Sequence, residues 1–76
     1  MYKELEVSFP ISDIIQNDID HILEELNSGK KANLADCYMS ELYNELNNSI
    51  GYDLTEEQAG ILRQYYCRGG IYGKAH

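Results

Sequence analysis

The chain has 76 residues, of which 13 are acidic and six basic, giving a net charge of −7, and 43% are apolar. A chain this short makes one domain and buries only about 60% of the surface its unfolded form exposes, which leaves little room for a deep pocket. It contains no apolar run near the ~20 residues that span a bilayer and no charged-then-apolar leader, so a soluble, cytoplasmic protein is expected.

The apolar fraction is that of a folding chain, not a disordered one. Its two cysteines, Cys37 and Cys67, form no C-x-x-C pair and lack the partners of a zinc site, so two free thiols are expected. The charge is unevenly spread. Residues 1–62 carry all 13 acids and only Lys3, Lys30 and Lys31, a balance of −10. Residues 63–76 carry Arg63, Arg68, Lys74 and no acid. A field of this sign repels nucleic acid and anionic membranes and attracts basic surfaces.

Leu5, Val7 and Phe9 alternate with Glu4, Glu6 and Ser8, the period of a half-buried strand, until Pro10 stops it. One strand cannot satisfy its own backbone, so residues 1–10 are expected as either a strand or an extended arm. A strand would pair with the Ile71-Tyr72 tail, a second copy of the chain, or the sheet edge of another protein.

The first helix is expected over 12–27. Ser12 is a suitable cap, Asp13 suits the positive end of the helix, and Gly29 can stop it. Ile11, Ile14, Ile15, Ile19, Ile22, Leu23 and Leu26 make one broad apolar stripe. Asp13, Asp20 and Glu24 fall opposite, and Asp18, His21 and Glu25 on a flank. The second helix is expected over 33–49, capped by Asn33 and stopped by Gly51. Ala35, Tyr38, Met39, Leu42, Leu46 and Ile50 form its stripe, with Cys37, Glu41, Glu45 and Asn48 on the far side. The third is expected over 55–68. Thr55-Glu56-Glu57-Gln58 is a capping box, and Leu54 and Ala59 are placed as a weak staple. Ala59, Ile61, Leu62, Tyr65 and Tyr66 share its core face, while Gly60, Arg63 and Cys67 point away. The fold class is therefore mainly α: one domain over 1–76, a small three-helix bundle with a short N-terminal extended arm or β-strand and a flexible 69–76 tail.

Catalytic motifs are lacking. Gly69-Gly70-Ile71-Tyr72-Gly73-Lys74 follows a helix instead of opening one, the wrong geometry for a phosphate. His21 with Glu24 or Glu25 is at most half a metal site, and a solvent-facing histidine is the simpler reading. Cys37 and Cys67 have no adjacent histidine to make either a nucleophile. The chain is expected to be no enzyme and to need no cofactor or metal.

The acids are more informative. Asp20 and Glu24, like Glu41 and Glu45, stand four apart on one helix, where like charges cost about 0.2–0.5 kcal/mol per pair. A stability-only sequence would often place lysine at one of them. Either these faces are merely solvated, or the carboxylates imitate nucleic-acid phosphates toward a basic groove. Tyr2, Tyr52 and Tyr72 fall in arm, loop and tail, and Tyr43 at the margin of its stripe. Tyrosine suits interfaces, offering area and a hydroxyl at small entropic cost.

The expected partner surface is Asp20, Glu24, Glu41, Glu45, Asp53, Glu56 and Glu57, with Tyr43 and Tyr52 as anchors. The expected partner is a protein with a basic, nucleic-acid-binding surface; direct contact with nucleic acid or membrane is not expected, and a homodimer is allowed. In composition alone, with no shared motif, the chain is similar to the small acidic inhibitors of phages and mobile elements, such as anti-CRISPR and anti-restriction proteins and other DNA mimics. That similarity implies an inhibitor that occludes the nucleic-acid site of an enzyme. The alternative is an antitoxin-like or dimerising adaptor that binds through its N-terminal strand and an apolar helix face. A helix-turn-helix reader built on Thr55–Arg68 is disfavoured by the overall charge.

Overall fold

Punctuation written into the sequence sets the three helices. A computed structural model describes residues 2–31 and 34–67. It contains α1 over Asp13–Asn27, α2 over Ala35–Ser49 and α3 over Glu56–Tyr66. Ser12 is extended, and its hydroxyl accepts the Ile15 N–H at 3.5 Å while Asp13 occupies the first turn. α1 ends at Ser28, after which Gly29 takes φ +77°, a left-handed conformation that costs glycine little. At α3 the capping box is complete: Thr55 Oγ1 accepts from Gln58 N, and Gln58 Oε1 accepts from Thr55 N.

The start of α2 differs from expectation. The Asn33 cap lies outside the described residues, and Leu34, with no side-chain oxygen, holds the capping position. The Leu34 N–H instead donates to the Glu25 carboxylate at 2.8 Å, tying the loop back to α1. α2 runs out into extended Ile50, and Gly51 turns at φ +87°. The Leu54 N–H then closes the turn on the Ser49 carbonyl at 3.1 Å.

The fold is a mainly α three-helix bundle in which α2 packs against both α1 and α3. Its centre is Ile15, Ile19 and Ile22 of α1, Ala35, Met39, Leu42 and Leu46 of α2, Leu54, and Ala59, Leu62 and Tyr66 of α3. Ile11, Leu23, Leu26, Tyr38, Ile50 and Tyr65 pack half-buried against this centre, and two expected core residues are exposed instead. Ile14 is 62% exposed and Ile61 42%. At about 100° per residue, Ile14 lies a quarter-turn off the Ile15 row and Ile61 about 160° around from Ala59. The apolar stripes are wider than the neighbouring helices can cover.

Cys67 corrects another expectation. Helical phase puts it on an exposed side, but it is buried, its thiol directed at the Met39 carbonyl, 3.7 Å away. The helix stops at Tyr66, so helical phase no longer sets the direction of Cys67. Burial pushes its thiol up to about 11, which leaves it protonated and unreactive at neutral pH. Cys37 is exposed, and both thiols are free.

The N-terminal segment is an extended arm; among the described residues there is no strand. The alternation holds, with Leu5, Val7 and Phe9 half-buried against the core and Glu4, Glu6 and Ser8 exposed. Side chains replace the missing strand partner. Asn27 grips Tyr2 twice, accepting from its N–H at 2.9 Å and donating to its carbonyl at 3.0 Å. The Tyr65 hydroxyl donates to the Lys3 carbonyl at 2.9 Å, and the Leu5 N–H donates to the Tyr66 hydroxyl at 2.7 Å. The arm thus ties the end of α1 to the end of α3 through backbone bonds at Tyr2, Lys3 and Leu5. Sheet addition over residues 2–5 would first have to release them. The Ile71-Tyr72 pairing, Arg68 and the 69–76 tail lie outside the described residues.

Candidate protein-binding surface

The nine expected surface residues do not form one face: Asp20 and Glu24 stand on the outer face of α1, and those of α2 itself divide between its two sides. Glu41 and Glu45 face the α1 seam, while Tyr43 faces α3. Two residues apart on a helix means about 160° around it, so one docked object cannot lie flat on both.

On the α1 side, Asp20 and Glu24 are exposed one turn apart. Asp20 accepts a hydrogen bond from Gln16 Nε2 at 2.9 Å, and the same amide reaches Glu4 of the arm at 3.0 Å. Asp20 and Glu24 both stand on the outer face of the helix, away from the α1–α2 seam, where Glu41 is exposed and Glu45 half-buried. Between the two helices lies Asp18, which helical projection assigns to the flank. It is only 8% exposed. Its spacing carries the signal, since it stands three residues after Ile15 and four before Ile22.

The Asp18 carboxyl is held above its ordinary 3.8. Burial is the main cause, followed by the negative charge of Glu41, a hydrogen bond with Glu41, and the charge of Glu45; His21 acts in the opposite direction. Two carboxylates can share a hydrogen bond only if one holds a proton. His21, expected to face solvent, is half-buried and stacked on Tyr38, ring centroids 4.7 Å apart and planes 13° from parallel.

The linkage runs in one direction. A carboxyl raised in the folded state favours folding fully below pH 3.8, and this contribution is lost as pH rises through the raised value. At neutral pH ionised Asp18 opposes folding. Asp18→Asn, whose amide can donate to Glu41, should therefore raise stability at pH 7 by on the order of 1 kcal/mol, or roughly 4–8 °C in Tm. The gain should vanish near pH 4. Thermal denaturation of both proteins across pH 4–7 checks this, and a gain that does not depend on pH would exclude Asp18 as the titrating group.

On the α3 side, Tyr43, Glu57, Gly60, Ile61, Arg63, Gln64 and Cys67 line an open groove of about 550 Å³. The Arg63 guanidinium sits 5.8 Å from the Tyr43 ring centroid, a cation–π contact. Glu56 and Glu57 form the first turn of α3, and Tyr52 and Asp53 project from the turn before it, Tyr52 being 87% exposed.

Among the described residues none of these carboxylates is paired with a lysine or arginine. Nor do any three of the described His, Cys, Asp or Glu side chains converge as metal ligands would. No described helix is long and apolar enough to cross a membrane. No protein-family model matches the chain, and neither a curated protein nor a solved structure matches it.

Proposed function

We propose that this protein is a non-catalytic inhibitor that binds a protein with a basic, nucleic-acid-binding surface and occludes that surface. The observation that carries the reading is uncompensated charge. Asp20, Glu24 and Glu41 are exposed, Glu45 is half-exposed, and none has a cation from the described chain beside it. The described cations lie elsewhere: Lys3 in the arm, Lys30 and Lys31 beyond α1, and Arg63 over Tyr43. Glu41 and Glu45 repel Asp18 in the α1–α2 seam, while Asp20 and Glu24 stand on the outer face of α1, so lysines and arginines that normally hold phosphates would relieve both sets. Attraction of this kind acts mainly on the rate of encounter and weakens as salt screens it.

The test is capture from a bacterial lysate on the tagged full chain, washed at low and then high salt. The expected result is a nucleic-acid enzyme that is released by salt and displaced by added duplex DNA. A captured protein that resists both treatments, and has no nucleic-acid site, would mean that the acidic seam only solvates the fold.

A further inference from the structure

We infer that the groove over Gly60, between α2 and α3, is a docking site for one helix of a partner protein, an amphipathic helix with an apolar seam and basic flanks. The inference rests on the protein-binding reading above and gives it a place and a partner shape.

Gly60 is the first observation. It sits inside α3, where glycine is the least favourable residue short of proline. It is neither at a turn nor at positive φ; Gly29 and Gly51 alone have that among the described glycines. Space within the fold does not require it either. A Cβ at position 60 would meet only the Arg63 Nη2 atom, at 3.9 Å, an ordinary contact. The chain thus keeps a helix-weakening residue at a position where its own packing would accept alanine. Glycine at such a site lets another backbone approach closely.

Exposed apolar surface is the second observation. Ile61 and Tyr43 are 42% and 44% exposed and line the same groove as Gly60. A glycine without a side chain, an aliphatic residue and an aromatic one thus line a single groove, a lining that suits an apolar helix seam.

Charge identifies the occupant. Glu57 lines the groove, with Glu56 and Asp53 exposed beside it at the start of α3. The one cation among the described groove residues, Arg63, lies over Tyr43 and keeps its charge, so Glu57, Glu56 and Asp53 outweigh it by two. Basic flanks on the incoming helix meet these carboxylates, whereas acidic flanks are repelled. A second copy of this chain would bring another −7 to the contact and is disfavoured for the same reason.

The experiment is a titration of the full, isotope-labelled chain with a synthetic leucine–lysine amphipathic peptide about five helical turns long, followed by amide shifts. A leucine–glutamate peptide and polylysine serve as controls. The expected result is saturable shifts centred on Tyr43, Glu57, Gly60, Ile61 and Gln64 with the leucine–lysine peptide alone. Gly60→Ala should raise the Tm by a few degrees and weaken the peptide about tenfold. Higher stability with weaker binding separates a lost docking surface from a damaged fold.

The inference is overturned by shifts confined to Asp20, Glu24, Glu41 and Glu45, by equal binding of polylysine, or by unchanged affinity in the Gly60→Ala chain. It is also overturned if the same amides shift on protein dilution without peptide, which would assign the groove to a second copy. Peptide binding at the groove with no nucleic-acid enzyme recovered from lysate would sustain the docking site and sink the inhibitor reading. Recovery of that enzyme with equal yield by the Gly60→Ala chain would do the reverse.

Discussion

Tyr66→Phe should loosen the N-terminal arm and cost about 1–3 kcal/mol, the penalty for leaving a partly buried N–H without its acceptor. A domain of this size commands only roughly 3–5 kcal/mol in all, so the loss is a large fraction of its stability. The substitution keeps the ring, which is fully buried and packed edge-on against Tyr65 at 4.9 Å. What goes is the oxygen that accepts the Leu5 N–H at 2.7 Å. Urea denaturation gives the stability change, and hydrogen exchange at the Leu5 amide shows where it arises. Tyr65→Phe is the control. It removes an exposed hydrogen bond to the Lys3 carbonyl, which water can replace, so its effect should be smaller. High pH should destabilise the native chain through the same hydroxyl by a different cause, the burial of a phenolate charge, since the phenolate still accepts the Leu5 N–H. Burial pushes the Tyr66 hydroxyl up to about 12 from its ordinary 10. Its contribution is therefore intact below pH 10 and lost as pH rises through about 12. The Tyr66→Phe variant should lack this part of the alkaline loss. An unchanged Leu5 exchange rate with unchanged stability would mean the arm is held by its apolar side chains alone.

The same tyrosine shows where sequence reading reaches its limit. Tyr66 is legible as a core residue from its place in the α3 period, but the role of its hydroxyl is not, because its partner lies 61 residues away. Local signals do better. Ser12, the Thr55–Gln58 box, Gly29 and Gly51 act through neighbours within a few positions, and each marks a helix boundary where expected. Asp18 stands three residues after Ile15 and four before Ile22, yet lies at the edge of the apolar stripe, where helical projection assigns it to the flank. Its partners, Glu41 and Glu45, come from another helix, and no single-helix projection shows them. Cys67 is misplaced for the opposite reason: helical projection carries one residue past the end of the helix. The acids and tyrosines of the candidate surface lie on the elements expected of them. The separation of Glu41 and Glu45 from Tyr43 depends on which neighbour packs on which side of α2, and Gly60 gains its meaning only beside exposed Tyr43 and Ile61.

Replacing Glu41 and Glu45 together by lysine should move stability and binding in opposite directions. Both carboxylates now stand against Asp18 across the α1–α2 seam and disfavour its charge. Lysine at either position turns repulsion into attraction toward a buried carboxylate. The variant should therefore gain about 0.5–1 kcal/mol at pH 7, allowing for the exposure of position 41. The protein that the wild-type chain captures in a salt-sensitive manner should bind the variant about tenfold more slowly or worse, because two attractive charges have become repulsive at the approach surface. The dependence of the remaining binding on salt should flatten. Stopped-flow association at two ionic strengths, alongside thermal denaturation of the same samples, separates the two effects. A folded, more stable variant that associates as fast as the wild type at low salt would show that the seam carries no recognition. It would leave the repulsion around Asp18 as a cost of stability with no return in binding, and the α2–α3 groove as the surface through which a partner is held.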